Sequence, residues 1–382
     1  MKERIWLSSP HMGEKELQYV KEAFDTNWVA PVGPLLDRFE KSICNFNKIS
    51  HATALSSGTA AIHLALSVLN LTTDDLVLVQ SFTFCGSVNP IIYNKAKPIF
   101  IDSEADSWNM CPEKLEEAII YHKKRGELKR IKAIIPVHLY GMPAMIKDIV
   151  AISRKYGIPI VEDAAESLGS RYDGQHTGTF GDFGVFSFNG NKIITTSGGG
   201  ALVSNNHADI EKVRYLSTQA REPLPHYEHK EVGYNYRMSN VLAGIGIGQF
   251  EVLEKRIEQR RMVHNRYRKL FSTINARGYN VRFQEEQKNV FSNRWLTAIL
   301  IVPSENNGID REFIRLHLDS KGIDSRPLWK PMHLQPIFKD YLFFKSGVSD
   351  RLYDQGLCLP SGSNLTDSEW ERIEYELNQI FK

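Results

Sequence analysis

The sequence predicts an α/β fold, with a large domain on a mixed, mostly parallel sheet and a smaller C-terminal α+β domain. Three observations carry this expectation. Short apolar runs (Leu76 to Val79, Lys97 to Ile101, Ile131 to Val137) alternate with helical stretches (Pro112 to Lys124, Met145 to Tyr156), which is the rhythm of βαβ units. Ile158 to Val161 is an unbroken apolar run of the kind that a strand buried on both faces shows, and the acids Glu162 and Asp163 follow at its carboxyl end. The length, 382 residues, exceeds what one small core serves. The expected division is 1–250 for the large domain with an N-terminal arm, and 251–382 for a linking helix and the small domain.

Taken in order, Met1 to Glu40 reads as an arm and a first helix, with Leu17, Val20 and Phe24 at helical spacing. NWVAPVGP is too rich in proline and glycine for regular structure, yet it carries the apolar Trp28 and Val29. In ALSSGTAAIHLAL a Ser-Ser-Gly-Thr run precedes a helix with Ala61, Leu64, Ala65 and Val68 on one face. The freed amides around Gly58, with the Ser57 and Thr59 hydroxyls, make an anion site suited to a phosphate; an ordinary cap is the alternative. Phe84 lies in SFTFCGSVNPIIY after the strand at Leu76. The helix after Cys111 carries both signs of charge and reads as a solvated face. His138, in PVHLYG, reads as a satisfied histidine at a strand end.

The segment GDFGVFSFNGNKIITTSGGGA, residues 181–201, stands apart. Phe183 to Phe188 reads as one strand and Ala201 to Ser204 as another, with Lys192 on the loop between them among small residues that leave room for a flat ligand. A lysine desolvated in such a setting becomes a nucleophile toward carbonyls; a lysine on a solvated turn is the plain alternative. Schiff-base chemistry with pyridoxal phosphate requires a lysine for the aldehyde and a carboxylate that keeps the pyridine nitrogen protonated. Lys192 and Asp163 form such a candidate pair, although an acid at a strand end alone would serve as a helix cap.

Beyond Leu202 a helix around Arg214 and Leu216 leads into the polar segment STQAREPLPHYEHKEVGYNYRMSN. Ser239 reads as the N-cap of a long helix with Leu242, Ile245, Gln249 and Val252 on one side, and the charged stretch Glu254 to Lys269 as its exposed continuation. From about Asn275 the expected elements are a strand (Leu296 to Val302) and amphipathic helices (Arg311 to Lys321, Asp367 to Ile380). RPLWKPMHLQPIF places Arg326, Lys330 and His333 on a proline-rich loop.

These motifs, from NWVAPVGP through SSGTAAIHLAL, SFTFCGSVNPIIY, PVHLYG, VEDAAES, SFNGNKIITTSGGG and GYNYRMSN to RPLWKPMHLQPIF, resemble in order those of the DegT/DnrJ/EryC1/StrS sugar aminotransferases. The resemblance implies the fold-type I, aspartate aminotransferase-like architecture and pyridoxal 5'-phosphate as cofactor, passing through pyridoxamine phosphate in turnover. It implies that Lys192 and Asp163 are catalytic, and that Gly58, Thr59, Phe84, Glu166, Ser187 and Asn235 contact the cofactor. Phe84 would stack on its ring, with core packing as the alternative, and Ser187 would hold its phosphate. Asn235 would reach the cofactor of the partner subunit, so that a homodimer shares its sites. Relatives often carry histidine or glutamine where Glu166 stands; an ionised glutamate only accepts hydrogen bonds, so its contact with the cofactor hydroxyl must differ. Trp28, Arg221, Lys330 and His333 are the expected substrate contacts.

Within the family the chain is most similar to enzymes that aminate UDP-4-keto-6-deoxy-N-acetylglucosamine on the way to bacillosamine-type sugars of bacterial surface glycans. The implied reaction moves an amino group from L-glutamate to the 4-keto position of that nucleotide sugar. The alternatives are a GDP- or dTDP-linked keto sugar, then a sugar dehydratase, then a non-catalytic regulator that binds pyridoxal phosphate. Related dehydratases carry histidine at the lysine position, so Lys192 favours transamination. Composition fits a cytoplasmic protein. Lys and Arg total 47 against 45 Asp and Glu, with no basic block suggesting nucleic acid. No apolar run suits a signal peptide or a membrane span. The four cysteines (Cys44, Cys85, Cys111, Cys358) form neither a CxxC pair nor a zinc spacing, so no metal is expected and reduced thiols are.

Overall fold

A computed structural model describes residues 3–382, so the first two residues of the expected arm lie outside the described residues. Helices α1 (Glu16–Asp25) and α2 (Pro34–Asn47) precede β1 (His51–Leu55) and α3 (Gly58–Val68). The alternation then runs β2 (Leu76–Gln80), α4 (Asn89–Tyr93), β3 (Lys97–Ile101), α5 (Pro112–Lys124), β4 (Ile131–Ile135), α6 (Ile146–Tyr156) and β5 (Val161–Asp163). The two-residue strands β6 (Arg171–Tyr172) and β7 (Gln175–His176) lead to β8 (Phe183–Ser187), β9 (Gly200–Ser204) and α7 (His207–Ser217). Two long helices follow, α8 (Asn240–Glu251) and α9 (Leu253–Asn275). The remainder is β10 (Val281–Phe283), β11 (Val290–Phe291), β12 (Thr297–Ile301), α10 (Arg311–Ser320), β13 (Arg326–Pro327), β14 (Phe343–Phe344), α11 (Val348–Gln355), β15 (Gly356–Leu359) and α12 (Asp367–Ile380).

The strands order as β1-β9-β8-β5 and β14-β3-β2-β4. Bridges Ile134↔Ile160 and Val137↔Asp163 join the two sets into one sheet. Only β9 opposes the others; β1 and β8 flank it antiparallel, and the remaining pairs are parallel. Both faces are covered, which explains the unbroken apolar strands. In β2, Val77 and Val79 join a core with α3 and Phe100, whereas Leu76 and Leu78 join a core with α5, α6 and Ile134. A third core packs α2 and α8 against β9 and Phe186.

The antiparallel sheet β10-β12-β15-β13 carries its own core, with Tyr267, Phe271, Ile299, Leu318 and Leu377 around it. We propose the division near residue 250 on the ground of this separate core. The small part also returns to the large one: β14 extends the main sheet beside β3, an exchange that a division by sequence alone does not suggest.

Three expectations are corrected. The expected strand Ile158 to Val161 forms later, so Asp163 is the last residue of β5 rather than a residue beyond it. The charged stretch Glu254 to Lys269 is not an exposed continuation. The helix breaks at Val252, and α9 buries Arg256, Arg260, His264 and Tyr267, a stripe at helical spacing that is polar and therefore invisible to a hydrophobic pattern. In α1 the apolar stripe faces outward: Leu17 is 79% and Phe24 61% exposed, while Glu16 and Ala23 are buried. The cause is close packing on α8, where a Cβ at Gly248 would lie 2.8 Å from the Glu16 nitrogen. Glu16 is satisfied in this position, accepting from Gly13 N at 2.6 Å and Gln249 Nε2 at 2.5 Å.

All four cysteines are free thiols. Among the described residues no helix is long and apolar enough to cross a membrane, and no cluster of metal-ligating side chains occurs.

Candidate active site

The parallel strands deliver their carboxyl ends to one cleft, the place where open α/β sheets hold ligands. A pocket of about 330 Å3 opens there, and its walls include Gly58, Thr59, Phe84, Asp163, Glu166, Ser187 and Lys192. Residues separated by more than a hundred positions meet because β1, β8 and β5 end at the same edge of the sheet, with the start of β9 between β1 and β8.

At one end stands the start of α3. Ser57 caps it by accepting from Ala60 N at 3.0 Å, and the Gly58 and Thr59 amides have no partner within the helix. Gly200 makes this approach possible, since a Cβ there would lie 2.3 Å from the Ser57 carbonyl carbon. Such a helix start, with Thr59 and Ser187 beside it, suits a dianion. At the opposite end Asp163 is buried. Ser87 Oγ donates to its Oδ2 at 2.6 Å and Ala165 N to its Oδ1 at 3.1 Å. Its neighbour Glu162 points to the other face, where it accepts from Gly178 N at 2.8 Å and Gly181 N at 2.6 Å and pairs with His138 Nε2 at 3.0 Å. His138 also meets the Ala144 amide at 3.0 Å through Nδ1, so it is a satisfied core histidine.

Lys192 Nζ enters the pocket 3.5 Å from Glu166 Oε1 and 4.2 Å from the centroid of the Trp295 ring. Glu166 is fixed from behind: the Tyr140 amide donates to Oε2 at 2.7 Å. Tyr140 adopts a left-handed φ of 56°, its ring lies roughly parallel to Trp295 and Trp329, and its hydroxyl accepts from Trp329 N at 2.8 Å. Burial raises the Glu166 carboxyl above its ordinary value, and the lysine charge acts against that rise. Behind the lysine loop, Arg260 is fully buried without a carboxylate partner. It donates to Trp295 O at 2.6 Å, Ser361 O at 3.2 Å, Ser8 Oγ at 2.9 Å and Lys192 O at 3.4 Å. Burial lowers its pKa to about 9.

Phe84 is 52% exposed on the pocket wall, tilted against Trp329 at 5.4 Å, so core packing is not its role. Asn235, Arg221, Trp28 and Lys330 do not line this pocket. Asn235 pairs with Thr218 on an exposed segment, and the Arg221 guanidinium lies 4.0 Å over the exposed Tyr227 ring. Trp28 is 42% exposed beside α8, and Lys330 is exposed. His333, expected as a substrate contact, does not line this pocket either. Its Nδ1 meets Ser81 Oγ at 2.7 Å, its Nε2 meets Asp350 Oδ1 at 2.9 Å, and its ring stacks on Phe343 at 3.7 Å. Both nitrogens are used within the fold.

Sequence reasoning missed Ser87, Tyr140, Arg260, Trp295 and Trp329. Ser87 had a signal, since it lies one helical turn past Phe84 in a segment already singled out. The others are placed by tertiary contacts. The donor set fits pyridoxal phosphate. It offers a buried carboxylate for the ring nitrogen, a helix start for the phosphate, an exposed aromatic for a ring face and a lysine for the aldehyde.

The comparisons agree. A model of the DegT/DnrJ/EryC1/StrS aminotransferase family matches residues 10–378. The chain is 50% identical over 385 residues to a Bacillus subtilis (strain 168) protein described as a pyridoxal phosphate-dependent aminotransferase, EpsN, covering 100% of this chain and 97% of that one. It is 34% identical to the GDP-perosamine synthase of Escherichia coli O157:H7, over 97% of each chain. Among solved structures, a DegT DnrJ EryC1 StrS aminotransferase from Brucella abortus superposes with a TM-score of 0.87 at 27% identity, covering 96% of this chain and 95% of that one. With the fold-type I architecture, the pocket and a family match over nearly its whole length, this chain belongs to the DegT/DnrJ/EryC1/StrS aminotransferase family and is a pyridoxal phosphate-dependent aminotransferase.

Proposed function

We propose that this aminotransferase carries the amino group of L-glutamate to the 4-keto carbon of a nucleotide-linked 6-deoxy sugar, with UDP-4-keto-6-deoxy-N-acetylglucosamine as the substrate. The observation that carries the reading is Lys192 Nζ in a pocket that also holds Asp163 and the start of α3. Bound pyridoxal phosphate supplies the electron sink that lets an amine and a ketone exchange. The protein's part is binding and proton movement. The Gly58 and Thr59 amides and the Thr59 and Ser187 hydroxyls bind the phosphate, and Phe84 covers one ring face. Asp163, oriented by Ser87, keeps a proton on the pyridine nitrogen. Lys192 Nζ would take the α-proton of glutamate and, in the second half-reaction, would deliver a proton to C4 of the sugar. Glu166 and the Trp295 ring hold that amine in place, and the walls of Trp295 and Trp329 keep water from it.

We place the site in a homodimer. Asn235 and Arg221 are exposed and outside their own pocket, which suits contacts to a partner's cofactor and substrate. The exposed Leu17, Phe24, Val29 and Val32 supply apolar surface for association. Both substrates belong to the cytoplasm. A GDP-linked keto sugar is the second reading, favoured by the identity to a GDP-perosamine synthase.

The test supplies the holoenzyme with L-glutamate and, in separate reactions, UDP-, GDP- and dTDP-linked 4-keto-6-deoxy sugars, and measures 2-oxoglutarate and amino sugar. Equimolar formation of both products with the UDP sugar is expected. Preference for the GDP sugar selects the second reading, and no amine from any of the three overturns both.

A further inference from the structure

Arg260, on α9, is fully buried with no carboxylate partner among the described residues. Taking a guanidinium out of water is costly unless its donors find acceptors. Here the acceptors come from four separate segments of the chain. Nη1 donates to Trp295 O at 2.6 Å and Ser361 O at 3.2 Å. Nη2 donates to Ser8 Oγ at 2.9 Å and, over a longer 3.4 Å, to Lys192 O. All the Nη hydrogens are used in this way, and Nε alone lacks a partner among the described residues.

These acceptors are the supports of the Lys192 amine. Ser8 Oγ donates onward to Asn191 O at 2.7 Å, and the Trp295 indole N–H donates to the same carbonyl at 2.7 Å. The peptide before Lys192 therefore hangs from Arg260 by two short routes, one through Ser8 and one through Trp295. The Trp295 ring is also the face against which Nζ rests, 4.2 Å from its centroid. Trp295 N donates to Asn293 Oδ1 at 2.9 Å, and Asn293 Nδ2 donates to Glu166 O at 3.0 Å. That contact ties the acid that stands 3.5 Å from Nζ to the same frame. The base of the lysine, the indole under its amine and the acid beside it are all registered against one planar fork. A guanidinium holds such a register because its donor directions are fixed, whereas those of an ammonium rotate. A misplacement of about 1 Å at a reacting group costs on the order of a hundredfold in rate.

We infer that Arg260 is a positioning residue for the reaction, acting through Trp295, Ser8 and the lysine loop to set where Nζ stands relative to the Trp295 ring and Glu166. This rests on the reading above of Lys192 as the reacting amine and L-glutamate as the donor. Arg260 does not line the pocket, so its effect falls on the rate of proton movement and not on substrate binding.

The test compares the wild type with Arg260→Lys, Arg260→Met and Ser8→Ala, each held at a temperature where its denaturant midpoint shows it fully folded. One measurement is the single-turnover reaction of the holoenzyme with L-glutamate. The other is reductive methylation of Lys192 in the cofactor-free protein, read by mass spectrometry against the exposed Lys124. Arg260→Lys keeps the charge and loses the span. It is expected to lower the rate at saturating glutamate by about tenfold or more, with the half-saturating concentration within about twofold of wild type. Methylation of Lys192 relative to Lys124 should speed up by about threefold, as the amine comes off the indole face. Arg260→Met should lower the rate at least as far. Ser8→Ala leaves the guanidinium in place and cuts one route to Asn191, so both readouts should move the same way by less. If the Arg260 variants do not fold, Ser8→Ala decides by the same two readouts. Wild-type rates and methylation ratios in Arg260→Lys and Ser8→Ala, whatever their midpoints, make Arg260 a purely structural residue and overturn the inference, with Lys192 keeping its role. No reaction of the wild type with L-glutamate, or borohydride reduction that fixes the cofactor to a lysine other than Lys192, overturns the underlying reading and the inference with it.

Discussion

The Nζ of Lys192 and the Oε1 of Glu166 lie 3.5 Å apart in the pocket, with 13% and 5% of their side chains exposed, and the Tyr140 amide holds the other carboxylate oxygen. The carboxylate is thus part of the lysine's immediate surroundings before any ligand binds.

Glu166 is raised by burial, so its folded form holds a proton to higher pH than its unfolded form. The stability it contributes is present below about pH 4.5 and is lost as pH rises through the folded value. Glu166→Gln does not titrate and keeps an acceptor for Tyr140. Urea unfolding of the cofactor-free protein should show the variant gaining stability relative to wild type as pH increases from 4.5 to 7. Parallel curves would contradict the assignment.

Lys192→Ala removes the amine that the reaction requires. Turnover should fall by at least about 10³-fold, and the absorbance band of lysine-bound cofactor should be missing, with the unfolding midpoint close to wild type. Residual turnover near the wild-type rate would assign the chemistry to another group.

Ser87→Ala deletes the 2.6 Å donor to Asp163. The loss of a hydrogen bond to a charged group, about 1.5–3 kcal/mol, should weaken pyridoxal phosphate binding by tenfold or more. Equilibrium titration of the cofactor-free protein reads this directly.

Arg260→Met leaves the Trp295, Ser361 and Lys192 carbonyls without their shared donor. A destabilisation of about 3 kcal/mol is expected, because buried groups lose partners that water does not replace. Arg260→Lys should recover only part, since one ammonium does not span the same acceptors. The measurement is the denaturant midpoint of each variant.

His176 is buried against Phe46, and burial lowers its pKa to about 4. The unfolded chain takes up a proton near pH 6.5 that the fold resists, so this contribution is complete above 6.5 and is lost as pH falls toward 4. His176→Phe should flatten acid unfolding in that window by up to about 3 kcal/mol. An unchanged pH profile would place the acid sensitivity elsewhere.

The order of elements was legible because its signals are local. The helices at Pro112–Lys124 and Asp367–Ile380 begin and end where the sequence reading placed them, and the strand at Lys97–Ile101 does too. The stripe Arg256, Arg260 and His264 was not legible, since its burial depends on carbonyls from Trp295 and Ser361 that converge only in the fold. His333 looked available because a proline-rich loop gives no hint of Ser81 and Asp350 on either side of the ring.

By itself the sequence determined the sheet, the helix start at Gly58, the carboxylate at Asp163 and the lysine at Lys192, because periodicity, capping and chain punctuation act over a few residues. Only the tertiary structure decided what stands next to them. That includes Glu166 beside Lys192, Ser87 on Asp163 and Arg260 behind the lysine loop. Those positions follow from strand order and from the close approach of helices, and they depend on distances between segments that no local pattern encodes.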